Sequence, residues 1–191
     1  MSKLEIRTMP VALDAVSTEG KMPTLSGYAL TYDNLSQDLG GFREIIRPGA
    51  IVPRNDVRAL VSHDRNSRLG RTSKGTLQLA SDNKGLRFTL QLPDTTLGRD
   101  VAAMVGHGDL DGMSFGFLTK RDKWSYGTEG TIRELLAVDL HEISLTDDPA
   151  YLGTSVSVRA LEQAKQFANY GNKNDLLQFR LKVACAAYIH S

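Results

Sequence analysis

The sequence predicts a mainly β fold, a β-rich α+β arrangement built on a closed or barrel-like antiparallel sheet with a few surrounding helices. Three observations carry that expectation. Most segments alternate apolar and polar residues with the period of a half-buried strand. Two pairs of these segments flank short turn-forming runs. Only one stretch within the body of the chain has helical spacing.

The elements follow in order. Residues 3–7 alternate, with Leu4 and Ile6 on one side, as a half-buried strand does. Residues 25–32, with Gly27 inside, and residues 42–46, closed by Pro48-Gly49, read as the next two strands. A fourth covers residues 57–62 and ends at His63. Residues 76–80 and 86–92 flank Ser81-Asp82-Asn83-Lys84-Gly85, and Leu77, Leu79, Leu86, Phe88, Leu90 and Leu92 keep a period of two. That is the clearest hairpin of the chain. A helix comes next: Asp94 can cap it, Leu97, Val101, Met104 and Val105 fall on one face, and Gly106 can end it. After Gly108-Asp109-Leu110-Asp111-Gly112 the chain returns to strands over residues 113–124 and 131–145, joined by Tyr126-Gly127-Thr128-Glu129-Gly130. Pro149 stops the last of these, and residues 154–158 can add a short strand. Beyond it, residues 161–168 have helical character, Gly171-Asn172-Lys173-Asn174 breaks it, and Leu177, Leu181, Ala184 and Tyr188 return at helical spacing. Two units are therefore expected: a β domain over residues 1–159 and a helical C-terminal tail over 160–191, suited to packing on the domain or docking a partner.

Composition narrows the function classes. The 191 residues are enough for one domain with a sizeable core, and 41% hydrophobic with 24% charged residues is ordinary for a globular protein. A formal net charge of +1 gives no electrostatic reason to expect nucleic acid or an anionic membrane as partner. Cys185 is the single cysteine, so no internal disulfide or thiol pair for a metal is available. No apolar run reaches the length of a membrane span, and residues 1–10 are too polar for a signal peptide. These features read as intracellular.

The chemistry concentrates in three fragments: Val61-Ser62-His63-Asp64, Gly112-Met113-Ser114-Phe115-Gly116-Phe117 and Leu140-His141-Glu142-Ile143-Ser144-Leu145. A serine, a histidine at a strand end and an acid among apolar residues supply a nucleophile, a base and an orienting group. Gly112 to Gly116 formally matches the nucleophile-elbow pattern, but that elbow needs a strand before the serine and a helix after it. Here a helix and turn precede Ser114 and a strand follows, so an esterase of that fold is disfavoured. On the strand, Met113, Phe115 and Phe117 share one face, and Ser114 and Gly116 the other, where a bare backbone lets a substrate chain approach. His63 shares parity with Val57, Ala59 and Val61; it is either a core-edge histidine or a general base. Asp64 points the other way on a strand and is a poor orienter. Glu142 shares parity with Val138 and Leu140, so its carboxylate is costly unless paired, and an imidazole would meet that need. His141 and Asp139 are the alternatives for the third role. His107 and His190 read as solvated, and no ligand spacing supports a metal; no cofactor is expected.

Several segments, taken in order, resemble the tailed-bacteriophage prohead (capsid-maturation) serine protease family, which is related to the herpesvirus assemblin proteases. They are Leu25-Ser26-Gly27-Tyr28-Ala29, Gly41-Phe42-Arg43-Glu44-Ile45-Ile46-Arg47-Pro48-Gly49-Ala50, Asp56-Val57-Arg58-Ala59-Leu60-Val61-Ser62-His63-Asp64, Leu69-Gly70-Arg71-Thr72, Gly85-Leu86-Arg87-Phe88 and Leu92-Pro93-Asp94-Thr95. The serine and glutamate fragments above, and Pro149-Ala150-Tyr151, complete the series. The resemblance spans residues 25–159 and implies an assemblin-like fold, with His63 as base and Ser114 as nucleophile. Glu142, followed by Ile143, Ser144 and Leu145, stands where the herpesvirus relatives have a second histidine. The arginine pair that assists the oxyanion in those relatives has no match near Leu152-Gly153. The implied substrate is the scaffold or delta segment of the major capsid protein, and the chain itself, cut inside the immature prohead in the host cytoplasm. A homodimer stays open. The runner-up expectation is a catalytically silent scaffold or capsid-binding assembly protein on the same fold, which a serine-directed fluorophosphonate would separate from an enzyme.

Overall fold

A computed structural model describes residues 4–9, 13–17, 22–128 and 130–147. Ten strands and one α-helix form among them: β1 (Glu5–Met9), β2 (Leu13–Ser17), β3 (Thr24–Thr31), β4 (Arg43–Ile46), β5 (Ile51–Val61), β6 (Asp64–Arg71), β7 (Leu77–Ser81), β8 (Gly85–Gln91), α1 (Thr96–His107), β9 (Gly112–Gly127) and β10 (Gly130–Thr146). A 3-10 turn, Thr72–Lys74, links β6 to β7. The described residues are thus mostly β, as their period-two segments require. The expected strand over 154–158, the tail helices, the stop at Pro149, Cys185 and His190 lie outside the described residues.

The strands make two sheets. One has the order β1-β9-β10-β5-β6, with β4 also on β10; the other is β2-β3-β8-β7. The expected all-antiparallel pairing is corrected: β4 and β5 both run parallel to β10, while β1-β9, β9-β10 and β5-β6 are antiparallel. The reason is chain direction. The Pro48-Gly49 turn, with Gly49 at φ 78°, offsets β5 from β4 without reversing it, so both run along the 17-residue β10. One apolar core joins the sheets, with Leu25, Ala29 and Phe88 of the second packed in a cluster with Phe115, Phe117 and Ile143 of the first. Burying that shared surface is the main reason the two sheets hold together.

Both expected hairpins form, β7-β8 and β9-β10. At the first, Asp82 accepts the N–H groups of Lys84 and Gly85, and a Cβ on Gly85 would stand 2.1 Å from the Leu30 carbonyl oxygen. Glycine is needed there for close approach. The helix is displaced from its expected ends. Thr95, not Asp94, caps it, accepting the Gly98 N–H at 3.2 Å, while Asp94 instead pairs with Arg99 at 2.6 Å. Gly108, at φ 85°, and not Gly106, closes it. Strands β2 and β6 escaped the pattern because each is short or polar at a sheet edge. In β6 only Leu69 and Gly70 are buried, so the sequence Asp64-Arg65-Asn66-Ser67-Arg68 shows no alternation; it is a strand because β5 pairs with it.

A buried charged cluster ties β1 down. Arg7 bonds Glu44 at 2.9 Å and Glu5 at 2.8 Å, and Arg133 bonds Glu5 at 2.6 Å, Glu44 at 3.1 Å and Asp122 at 2.7 Å. Burial alone would raise the Glu5 carboxyl, but the Arg133 hydrogen bond and the Arg133 and Arg7 charges hold it below the usual range. Such a cluster adds little net stability against an apolar equivalent, but losing one member leaves the others buried and unpaired, at roughly 3–5 kcal/mol. It locks the register of β1 on β9.

Candidate active site

Three features of strand geometry assemble the site. The first is the β5-β6 hairpin. Here the structure corrects the reading of His63 as a strand residue: β5 ends at Val61, which pairs with Asp64, and Ser62 and His63 form a two-residue turn at φ 45° and 62°. Positive φ at both central residues is the hairpin turn that matches strand twist, normally filled by Asn or Gly. Two backbone bonds lay its tip on β10, from Ser62 N–H to the Leu145 carbonyl at 2.9 Å and from His63 N–H to Ser144 Oγ at 3.2 Å.

The second is a bulge in β10 between Leu140 and Glu142. It overturns the expectation that Glu142 shares a face with Leu140. Leu140 pairs with Phe117 and Ile143 with Phe115, whereas Glu142 lies opposite Gly116 and Ser144 opposite Ser114. The extra residue, His141, shifts the period by one. Glu142 and Ser144 therefore turn to the Ser114 face, away from the phenylalanine core.

The third is Gly116. The two faces of β9 are as expected, with Phe115 and Phe117 stacked at 5.4 Å on the core side. The bare backbone at Gly116 serves a different purpose from the one anticipated. A Cβ there would stand 2.5 Å from Glu142 Oε1, so the space belongs to the glutamate, not to a substrate chain.

The outcome is a buried pair. Glu142 is 6% exposed, and its Oε1 lies 2.6 Å from His63 Nδ1. With Nδ1 turned to the carboxylate, Nε2 is left for other chemistry. Ser114 is fully buried on the same face. Its hydroxyl donates to the Arg7 carbonyl at 2.8 Å and accepts from Thr8 Oγ1 at 3.3 Å, so among the described residues its hydrogen bonds go to β1 and not to His63. The structure thus joins His63 to Glu142 directly, and Ser114 to both only through register.

The alternatives for the acid sit elsewhere. Arg54 Nη1 donates toward the His141 ring at 3.1 Å, and Asp139 lies 3.8 Å from Arg54, 3.8 Å from Lys120 and 3.7 Å from His141. Burial, and then the Arg54 charge, push His141 below the ordinary imidazole range. Asp64 accepts from Asn66 and Ser67 in its own turn. His107 ends α1 on the surface. Among the described residues no group of His, Cys, Asp or Glu is arranged to hold a metal ion. Sequence reasoning passed over Ser144 and the β1 contacts. Ser144, two residues after Glu142, was accessible to a period-two argument; a backbone carbonyl such as that of Arg7 leaves no residue-type signal at all.

A serine on the sheet face that carries a paired histidine and carboxylate brings together the groups that acyl transfer uses. A model of the caudovirus prohead serine protease family matches residues 9–169. The chain belongs to that family. The match begins before residue 25 and ends beyond residue 159, so it is wider than the segments that carried the resemblance. The prohead protease of Enterobacteria phage HK97 is 29% identical over 164 residues, covering 80% of this chain and 68% of that protein. The bacteriophage T4 capsid assembly protease has a similar fold, with a TM-score of 0.53 at 11% identity over 77% of this chain and 98% of that one. The protein is a serine protease of prohead maturation.

Within this prohead protease, Gly116→Ala probes the place of Glu142 against β9. The added Cβ would meet Oε1, Cγ and Cδ of Glu142, a buried side chain bonded to His63 and Ser144, so Glu142 can make room only by giving up those bonds. If Glu142 orients His63, the expected result is a fall in kcat of about 10- to 100-fold, together with a lowered melting temperature because a buried carboxylate loses its partner. A parental kcat would show that Glu142 need not stand at Gly116.

Proposed function

We propose that Ser114 is the nucleophile, His63 the general base and Glu142 the group that orients and charge-balances it. The observation that carries this is the 2.6 Å contact of Glu142 Oε1 with His63 Nδ1, on the face that β10 shares with Ser114. Glu142 takes the Nδ1 proton as a hydrogen bond and keeps Nε2 free to accept. In turnover the Ser114 hydroxyl rotates away from the Arg7 carbonyl toward Nε2. Its Oγ bonds the scissile carbonyl carbon as its proton passes to His63, and that proton then goes to the leaving amine as the C–N bond breaks. Water, giving a proton to the same imidazole, then bonds the acyl carbon, and as the bond from that carbon to Oγ breaks the proton returns to Ser114. Glu142 stabilises the transient imidazolium through its contact with Nδ1.

The substrates are the scaffold or delta segments of the major capsid protein, and the chain itself, cut inside the immature prohead in the host cytoplasm. Confinement raises the effective concentration of enzyme and substrate there, so a slow protease suffices. The packing of both sheets into one core supports an assemblin-like closure of the barrel. Mass spectrometry of the parent chain beside Ser114→Ala, alone and after incubation with immature capsid protein and its scaffold, tests this reading. New fragments in both proteins would remove Ser114 from the mechanism.

Residues 1–159 form the catalytic domain in this proposal, and 160–191 a tail that recruits the enzyme to assembling shells through Leu177, Leu181, Ala184 and Tyr188. A chain ending at Gln166 is expected to keep peptide cleavage in solution and to be depleted from purified proheads. If it unfolds instead, by circular dichroism, the tail is part of the core.

A further inference from the structure

We infer that Ser144 is a positioning residue that locks His63 and Glu142 into one unit, an inference that rests on the triad reading above. Ser144 is fully buried on β10, opposite Ser114. Its hydroxyl donates to Glu142 Oε2 at 2.8 Å and accepts the His63 backbone N–H at 3.2 Å, and its Oγ lies 3.4 Å from His63 Nδ1. One small side chain therefore touches the carboxylate, the imidazole and the backbone that carries the imidazole.

Each contact removes a specific freedom. Glu142 spends Oε1 on His63, and the terminal torsion of a carboxylate is broad, so one bond leaves its plane free to turn. The bond from Ser144 to Oε2 fixes that plane. His63 sits at φ 62° after Ser62 at φ 45°, a backbone that non-glycine residues hold only when tertiary contacts enforce it. Of the two backbone N–H groups that bond this tip to β10, the one bonded to Ser144 is that of His63 itself, beside its side-chain bond to Glu142. Ser144 thus couples the position of the base to the orientation of its acid through a single oxygen. The β10 bulge is what puts Ser144 on this face.

Its location also separates positioning from attack. Ser144 lies on the Nδ1 side of the ring, beside Glu142, whereas a nucleophile must meet the free Nε2.

The test uses the full chain with a fluorophosphonate as probe, comparing parent, Ser144→Ala, Ser144→Thr and Ser114→Ala, each checked for its melting temperature. Ser144→Ala is expected to lower kinact by about 10- to 100-fold with KI within about twofold, because orientation and not probe binding is lost. The downfield proton resonance of His63 Nδ1–H should broaden or vanish in the same variant. Ser144→Thr, which keeps the hydroxyl, should restore both. A parental kinact with an unchanged resonance in Ser144→Ala overturns the inference, as does a change confined to KI. Probe attached to Ser144 in peptide mapping overturns it too, by making Ser144 the nucleophile. Parental labelling of Ser114→Ala would sink the triad itself and this inference with it, whereas indifference at Ser144 alone leaves the triad standing.

Discussion

Ser114→Ala and His63→Ala are each expected to abolish proteolysis and leave the fold intact. Ser114 gives up only one hydroxyl, whose bonds run to the Arg7 carbonyl and Thr8, and its neighbours Met113 and Phe115 keep the core packing. His63 stands in a turn with its side chain 23% exposed, so its removal empties no core volume. The loss in rate should be roughly 10⁶-fold for either and hardly larger for both, because a nucleophile without its base, or the reverse, retains only binding and carbonyl polarisation. Two measurements decide it: fragment formation from immature capsid protein, and thermal melting. Cleavage by Ser114→Ala at the parental rate would end the assignment. A collapsed melting transition in His63→Ala would mean that the hairpin tip matters for folding as well.

Glu142→Gln is expected to lower kcat by roughly 10²- to 10⁴-fold, less than loss of the nucleophile and far more than His141→Ala. The amide keeps the size of the side chain but can present an N–H to His63 Nδ1, which favours the wrong tautomer and cannot balance an imidazolium. His141 contacts Arg54 and Asp139, with no side-chain hydrogen bond or ion pair to His63 or Glu142 among the described residues, so its truncation should change kcat by less than about threefold. KM should be indifferent to both substitutions. If His141→Ala were the damaging variant and Glu142→Gln mild, the third role would pass to His141 and the bulge would have no catalytic meaning.

How much of this was legible beforehand differs from element to element. The β7-β8 and β9-β10 hairpins were readable because alternation and turn chemistry are local, and so was the helix, apart from its two ends. The β6 strand was not, since an edge strand can be polar along most of its length and still be a strand through pairing with β5. At the site, the resemblance selected His63, Ser114 and Glu142 as candidates, but the strand parity attached to two of them fails. His63 is a turn residue, and Glu142 leaves the Leu140 face through a bulge. Strict parity would have sent its carboxylate into the phenylalanine core.

From the sequence came the β-rich class, because periodicity and turn residues are written along one dimension, and, through the resemblance of several segments in order, the family and the candidates His63, Ser114 and Glu142. Tertiary structure alone decided the parallel run of β4 and β5 beside β10, the clasp of β1 over Ser114, the place Gly116 keeps for Glu142, and the bond of Ser144 to the His63 backbone. Each of these is a contact between segments far apart in the chain. Whether such a contact forms depends on register and on a one-residue bulge, and a single-residue shift moves every later side chain to the other face of the sheet.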